Sequence, residues 1–354
     1  MQDILNAFQL KGKPLFCQRF GEGHINETYL ATCDTGLSYI LQKINTNTFK
    51  DPVGLMENVS SVTDFLAKNS DDPRGAMRIV RAKDGKPYHV DGENHYWRVY
   101  DFVPSSVCLQ MAESTKDFYN TGLAFGRFQK LLADFPAETL HESIPKFHDT
   151  RDRYRQLKEA IAQDKAGRAA SCQAEIEFAM AREAEAGQIV EALESGRMPW
   201  RVTHNDTKLN NILLDYDTHE PLCVIDLDTV MPGSSLYDFG DSIRFGAATA
   251  LEDETDLSKV SMSLDLFEVY TKGYLTGCGG SLTELELQML PIGAKMMTLE
   301  CGTRFLADHL NGDVYFRIHR ENHNLDRCRT QFKLVSDMES KMDQMAEIVK
   351  KCVK

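Results

Sequence analysis

One short segment of different character interrupts the long helical blocks of this chain, and it constrains the fold more than any other feature. Residues 112–135 and 151–196 are rich in Ala, Glu, Gln, Lys and Arg, and helical character returns over 256–354. Between them, within residues 199–246, lie two brief apolar runs, 211–214 and 222–225, which read as strands. The first hundred residues differ again. Strands are expected at 27–32, 38–44, 78–82 and 95–103, with a turn at Asp34-Thr35-Gly36. Leu55, Val59, Val62, Phe65 and Leu66 fall at helical spacing between them. This order implies an α+β chain: a small antiparallel-sheet N-lobe with one helix over 1–103, then a larger, mainly helical C-lobe over 104–354.

Composition narrows the partners. A net charge of -13 implies no basic surface for neutralising phosphates, so no nucleic-acid partner is expected. A nucleotide site on such a chain must gather positive charge or a metal locally. The nine cysteines contain no Cys-x-x-Cys pair and read as reduced thiols. The N-terminus lacks a basic stretch followed by an apolar one, and no run approaches the roughly 18 apolar residues of a membrane span. A cytoplasmic location without a membrane partner is expected.

The chemistry is written in His204-Asn205-Asp206-Thr207-Lys208-Leu209-Asn210-Asn211. It fits the phosphoryl-transfer loop pattern His-x-Asp-x-x-x-x-Asn, in which the Asp takes the acceptor hydroxyl's proton and the Asn holds magnesium. Such a loop presents a carboxylate to the acceptor and, a few residues on, a neutral oxygen to the metal. Lys208 would balance charge on the moving phosphoryl group. Asp226 closes an apolar run 20 residues after Asp206 (226 − 206) and supplies the anionic oxygen that a hard magnesium ion needs. Asp238-Phe239-Gly240 spells a protein-kinase metal motif but follows no apolar strand, so Asp238 and Asp241 read as supporting groups.

Gly21-Glu22-Gly23-His24-Ile25-Asn26 sits at a hairpin turn, where main-chain amides can approach the ATP phosphates. On the third strand, Gln42 and Lys43 alternate between faces, and either can point at the nucleotide. Glu57, on the following helix, is a partner for Lys43 or an exposed helix residue. Residues 97–103, with Tyr100 and Phe102, form the lobe crossing, where the adenine edge would lie.

Taken together, the chain resembles the aminoglycoside phosphotransferase and choline kinase superfamily, and more closely the bacterial N-acetylhexosamine 1-kinases. The stretches that carry the likeness are Gly21 to Asn26, Thr203 to Leu213 and Ile225 to Thr229. The runs from Asp238 to Gly246 and from Glu300 to Asp308 extend it. The resemblance implies a protein-kinase-like bilobal fold and ATP- and magnesium-dependent phosphorylation of the anomeric hydroxyl of N-acetylglucosamine or N-acetylgalactosamine. It implies Asp206 as base, Asn211 and Asp226 as metal ligands, and His24 and Asn26 near the phosphates; Gly21, Gly23, Lys43, Tyr100 and Phe102 are the nucleotide candidates from the residues themselves. It further implies that Arg304 and Tyr315 face the sugar. For Arg304 an ion pair with Asp308, one helical turn on, is the competing reading.

Overall fold

The strand signals of the first hundred residues close into one antiparallel sheet. The structure is a computed structural model that describes residues 1–21, 25–110, 112 and 114–353. Its first sheet has six strands: β1 (Pro14–Arg19), β2 (Glu27–Cys33), β3 (Ser38–Lys43), β4 (Ile79–Val80), β5 (His89–Val90) and β6 (Tyr96–Asp101). They lie in the order β1-β2-β3-β6-β4, with β5 also paired to β6. Register decides which residues meet. Thr28 stands opposite Gln42, and Gln42 opposite Arg98, so these three polar residues share one face of three adjacent strands. Leu41, Trp97 and Val99 point the other way and bury with Leu5, Phe8, Ala31 and Tyr39. One face makes the apolar core, and the other is left for charge.

The helix Pro52–Asn69 has proline at its start, and the Asp51 carboxylate caps the Gly54 amide at 2.9 Å. Met56 on this helix brings its sulfur to the Arg98 guanidinium at 3.8 Å. Asn58 donates to the His141 carbonyl at 2.8 Å and to the Val230 carbonyl at 3.1 Å, and accepts from the His141 amide. Such bonds draw residues 131–145 and 210–232 into one compact unit with residues 1–109. Within it, Ser106–Val107, Ile212–Asp215 and Pro221–Val224 form a second, three-stranded antiparallel sheet.

The second unit comprises residues 110–130, 146–209 and 233–354 and is mainly helical. The helical block expected over 151–196 is broken into Thr150–Gln163, Gln173–Met180 and Gln188–Glu194. Asp164 and Gly167, both with positive φ, turn the chain between the first two. Two further helices, Ser235–Gly246 and Glu284–Asn311, pack so closely that a Cβ on Gly240 would fall 2.5 Å from the Gly293 carbonyl oxygen. Glu286 makes a capping box with Thr283. Its buried carboxylate also takes the Arg201 guanidinium at 2.7 Å and the Ser235 hydroxyl at 2.8 Å. The strand Arg201–Thr203, which leads into the catalytic-loop motif, is thereby fastened to both helices. The mixed architecture expected from sequence, an antiparallel-sheet N-terminal region and a larger helical C-terminal part, is the one observed. No helix among the described residues is long and apolar enough to cross a membrane, and the nine cysteines are free thiols.

Candidate active site

In the helical unit, the loop begins at a residue that does not touch the chemistry. His204 is fully buried with its ring edge-on to Phe125 and Phe128. Its main-chain amide donates to Asp238 at 2.9 Å, and the next amide, of Asn205, donates to the other oxygen of the same carboxylate at 2.8 Å. Asn205 is left-handed, with φ 64°, and these bonds hold the strained turn. Gln129 also donates to Asp238, and the Thr207 hydroxyl donates to its carbonyl. Asp238 therefore shapes the loop from the start of a helix, as a supporting group. The loop then offers Asp206 at the surface, with the Lys208 ammonium 2.7 Å from its carboxylate. Burial works against the Lys208 charge, but Asp206 and Asp241 outweigh it and hold the ammonium above its ordinary range. Asp241 is itself paired with Arg244 at 2.9 Å. Burial pushes the Asp241 carboxyl up, but Arg244, Lys208 and His148 bring it below the usual range.

Farther along the same unit, Glu300 lies buried on the helix Glu284–Asn311. One of its oxygens is 2.8 Å from Nδ1 of His148, and the other accepts from the Thr150 hydroxyl at 2.8 Å. Arg304 stands one turn on. Its guanidinium lies over three rings, Phe147 at 5.2 Å, Phe316 at 5.4 Å and Tyr315 at 5.9 Å. The ion pair with Asp308 does not form. Asp308 instead accepts from the main-chain amides of Val314, Tyr315 and Phe316 at 2.8–3.0 Å and from Asn324. It thereby fixes the loop that brings Tyr315 to Arg304. Among the described residues Arg304 has neither a hydrogen bond nor an ion pair.

In the sheet unit, the buried charge is Arg98. Its guanidinium grips Asp228 through two nitrogens, one contact being 2.9 Å, and Nε donates to Gln42 at 2.9 Å. Gln42 passes the network on to the Thr28 hydroxyl. Burial works against the Arg98 charge, and Asp228 more than restores it. Asn26 donates to the same Asp228 and accepts from the Asn45 amide at 3.0 Å, which ties the hairpin turn to this network. Gln42 and Lys43 lie on opposite faces of the sheet. Gln42 joins Arg98, whereas Lys43 lies over Trp97 at 5.9 Å with Glu27 3.9 Å away. Glu57 meets His141 at 2.8 Å.

Two residues beyond the strand Pro221–Val224, the backbone turns sharply at Asp226, which is exposed and left-handed with φ 58° and ψ 60°. The amide of the preceding Ile225 donates to the Asn211 carbonyl at 2.9 Å, so Asn211 and Asp226 are neighbours. An amide oxygen and one carboxylate are by their chemistry a fitting partial set for magnesium, which takes few protein ligands and completes its shell with phosphate and water. Asp226 is also within electrostatic range of Arg98. Gly21 has φ +74° and follows Phe20, whose ring meets Phe102 edge-on at 6.2 Å. Tyr100 is buried with Arg98 over its ring at 5.3 Å. Gly23 and His24 lie outside the described residues.

Sequence reasoning missed Arg98, His148 and Glu300 as parts of these networks. Arg98 left a signal, since a lone cation inside the apolar strand Tyr96–Asp101 requires a buried partner. His148 left none; its bonded partner, Glu300, is 152 residues away in sequence.

A model of the phosphotransferase enzyme family (APH) matches residues 17–260. A microcompartment-associated aminopropanol kinase shares 16% identity, with a TM-score of 0.59 over 98% of this chain and 97% of that one. An amicoumacin kinase, solved with AMP-PNP and Ca2+, is 14% identical with a TM-score of 0.62 over 95% and 92%. The Plasmodium vivax ethanolamine kinase is 14% identical with a TM-score of 0.54 over 89% and 82%.

Proposed function

This chain belongs to the phosphotransferase enzyme family, and we propose that it transfers the terminal phosphoryl group of ATP, with magnesium, to the anomeric hydroxyl of an N-acetylhexosamine. The family's reaction is phosphoryl transfer to a small-molecule hydroxyl. Asp206 takes or orients the proton of that hydroxyl, and Lys208 offsets charge on the transferred group. Asn211 and Asp226 hold the magnesium, which neutralises the phosphate oxygens when bound. The turn at Gly21, Gly23 and His24 receives the phosphates, Asn26 anchors that turn, and Phe102 and Tyr100 lie toward the base. Gln42 replaces Lys43 as the third-strand residue of the nucleotide side.

The charge pattern of the helical unit carries the choice of acceptor. Four carboxylates there already have partners: Asp206 with Lys208, Asp241 with Arg244, Glu300 with His148 and Thr150, and Asp308 with the 314–316 amides. A cationic acceptor such as an aminoalcohol would have to break one of these pairs. Arg304, stacked on rings and without a direct ion pair among the described residues, instead offers N–H donors to the oxygens of a neutral acceptor, with Tyr315 as a stacking surface.

The test is a panel of acceptors assayed for ADP release: N-acetylglucosamine, N-acetylgalactosamine, glucose, choline, ethanolamine, aminopropanol and an aminoglycoside. The expected result is fastest turnover on an N-acetylhexosamine, with phosphorus NMR placing the phosphate on the anomeric oxygen. Preferred turnover of any of the amines would sink the proposed acceptor.

A further inference from the structure

His148 has one nitrogen committed and one with nothing to bind. Its ring is buried, Nδ1 is 2.8 Å from the Glu300 carboxylate, and Nε2 is shielded from solvent without a hydrogen-bond partner among the described residues. Such an orphan is uncommon in a folded interior and calls for an explanation. Glu300 makes it specific. Burial raises that carboxyl, but His148, Arg304 and Arg153 bring it below the ordinary range, so it is an anion and only accepts. Nδ1 therefore carries the proton. Nε2 is then the ring nitrogen left for another partner, fixed in direction by Glu300, which Thr150 holds in turn.

The position of this nitrogen is equally informative. Phe147, whose ring centre is 4.4 Å from that of His148, also lies under Arg304. Tyr237 covers the ring from another side at 5.2 Å. Asp241 feels both His148 and Lys208, the partner of Asp206. His148 thus packs on the ring that also carries Arg304, in the unit that holds Asp206.

We infer that His148 is a specificity residue of the acceptor site: its Nε2 makes a hydrogen bond to a hydroxyl or amide group of a neutral polar acceptor, with Glu300 and Thr150 holding the ring in place. This rests on the reading of the helical unit as the acceptor-binding part, but not on which acceptor the panel selects. A site built to hydrogen-bond such a group rejects analogues that lack it far more strongly than an apolar pocket rejects a missing methylene.

The experiment is a cycle between protein and acceptor, run with whichever acceptor the panel identifies. Wild type and His148→Phe are compared on that acceptor and on a series in which each hydroxyl in turn is replaced by hydrogen or fluorine and any amide by an ester. In wild type, one position is expected to lose about 100-fold in kcat/KM. In His148→Phe that position alone should lose less than about threefold, while the other penalties persist. The same penalty at every position in both proteins would overturn the assignment. Should the variant not fold, His148 Nε2 is followed by nitrogen NMR in the wild-type chain. A shift on adding acceptor, absent with the analogue lacking the critical group, supports the contact, and an unmoved signal refutes it. Failure of the sugar reading would show instead as no hexosamine turnover in wild type.

Discussion

Two guanidinium groups, Arg98 buried and Arg304 half-buried, are treated in opposite ways. Arg98 in the sheet unit has Asp228 on two nitrogens, Gln42 on a third and Met56 against it. Arg304 in the helical unit has three aromatic faces and no hydrogen-bond partner among the described residues. The first arrangement is complete, so it serves to hold the protein's own parts in place: Asp228, the Asn26 turn and the left-handed turn at Asp226. The second is incomplete, and so is the His148 Nε2 beside it. Satisfied polar groups rigidify, whereas unsatisfied ones set where a ligand gains most.

The comparison breaks first at Arg98. Replacing it with Met leaves the Asp228 carboxylate buried and unpaired, and a loss of about 3–5 kcal/mol in unfolding free energy is expected, measured by urea titration. The double change Arg98→Met with Asp228→Leu should recover much of that loss; no recovery would mean that the pair is not coupled. Asp206→Asn should lower turnover about 100-fold or more with ATP affinity largely kept, because it removes the proton acceptor and little else. Near-normal turnover would refute its role as base.

Arg304→Met sharpens the contrast from the other side. With no ion pair to break, stability should change by only about 1 kcal/mol, while kcat/KM for the acceptor falls roughly 10-fold or more. Acidification tests two carboxylates of the helical unit. Glu300 and Asp241 are both held below their ordinary range in the folded chain. The unfolded chain therefore takes up protons first as pH falls. Their stabilisation is complete above about pH 5 and is lost as pH drops through the depressed values. The difference in melting temperature between wild type and Glu300→Gln should accordingly shrink from pH 7 to pH 4. Smallest is Lys43→Ala, which should change stability by less than about 1 kcal/mol, since its contact with Glu27 is long and partly exposed. A large rise in KM for ATP in that variant would show that Lys43 reaches the phosphates after all.

Much of this was legible beforehand. The strands at 27–32 and 38–44 and the helix over 55–68 show in alternation and helical spacing, because their faces differ locally in polarity. The Asp206 and Asp226 segments were visible because loop and strand end keep their chemistry within a few residues. The break of the 151–196 block was not, since its residues are good helix formers and the turns at Asp164 and Gly167 depend on where the chain must go next. Arg304 was located, but its surroundings were not, because Asp308 looked like a partner at the right helical spacing and is used instead by the 314–316 loop.

The chain by itself determined the order of strands and helices, the phosphoryl-transfer motif and the side chains that bear it, all of which depend on local spacing. Only the tertiary structure decided which charges are neutralised. Hydrogen bonds and ion pairs act over a few ångströms, and the residues that met in space, Arg98 with Asp228 and His148 with Glu300, stand 130 and 152 positions apart. Local pattern carries no information about such pairs, so the difference between a filled network and a waiting one appears only once the chain has folded.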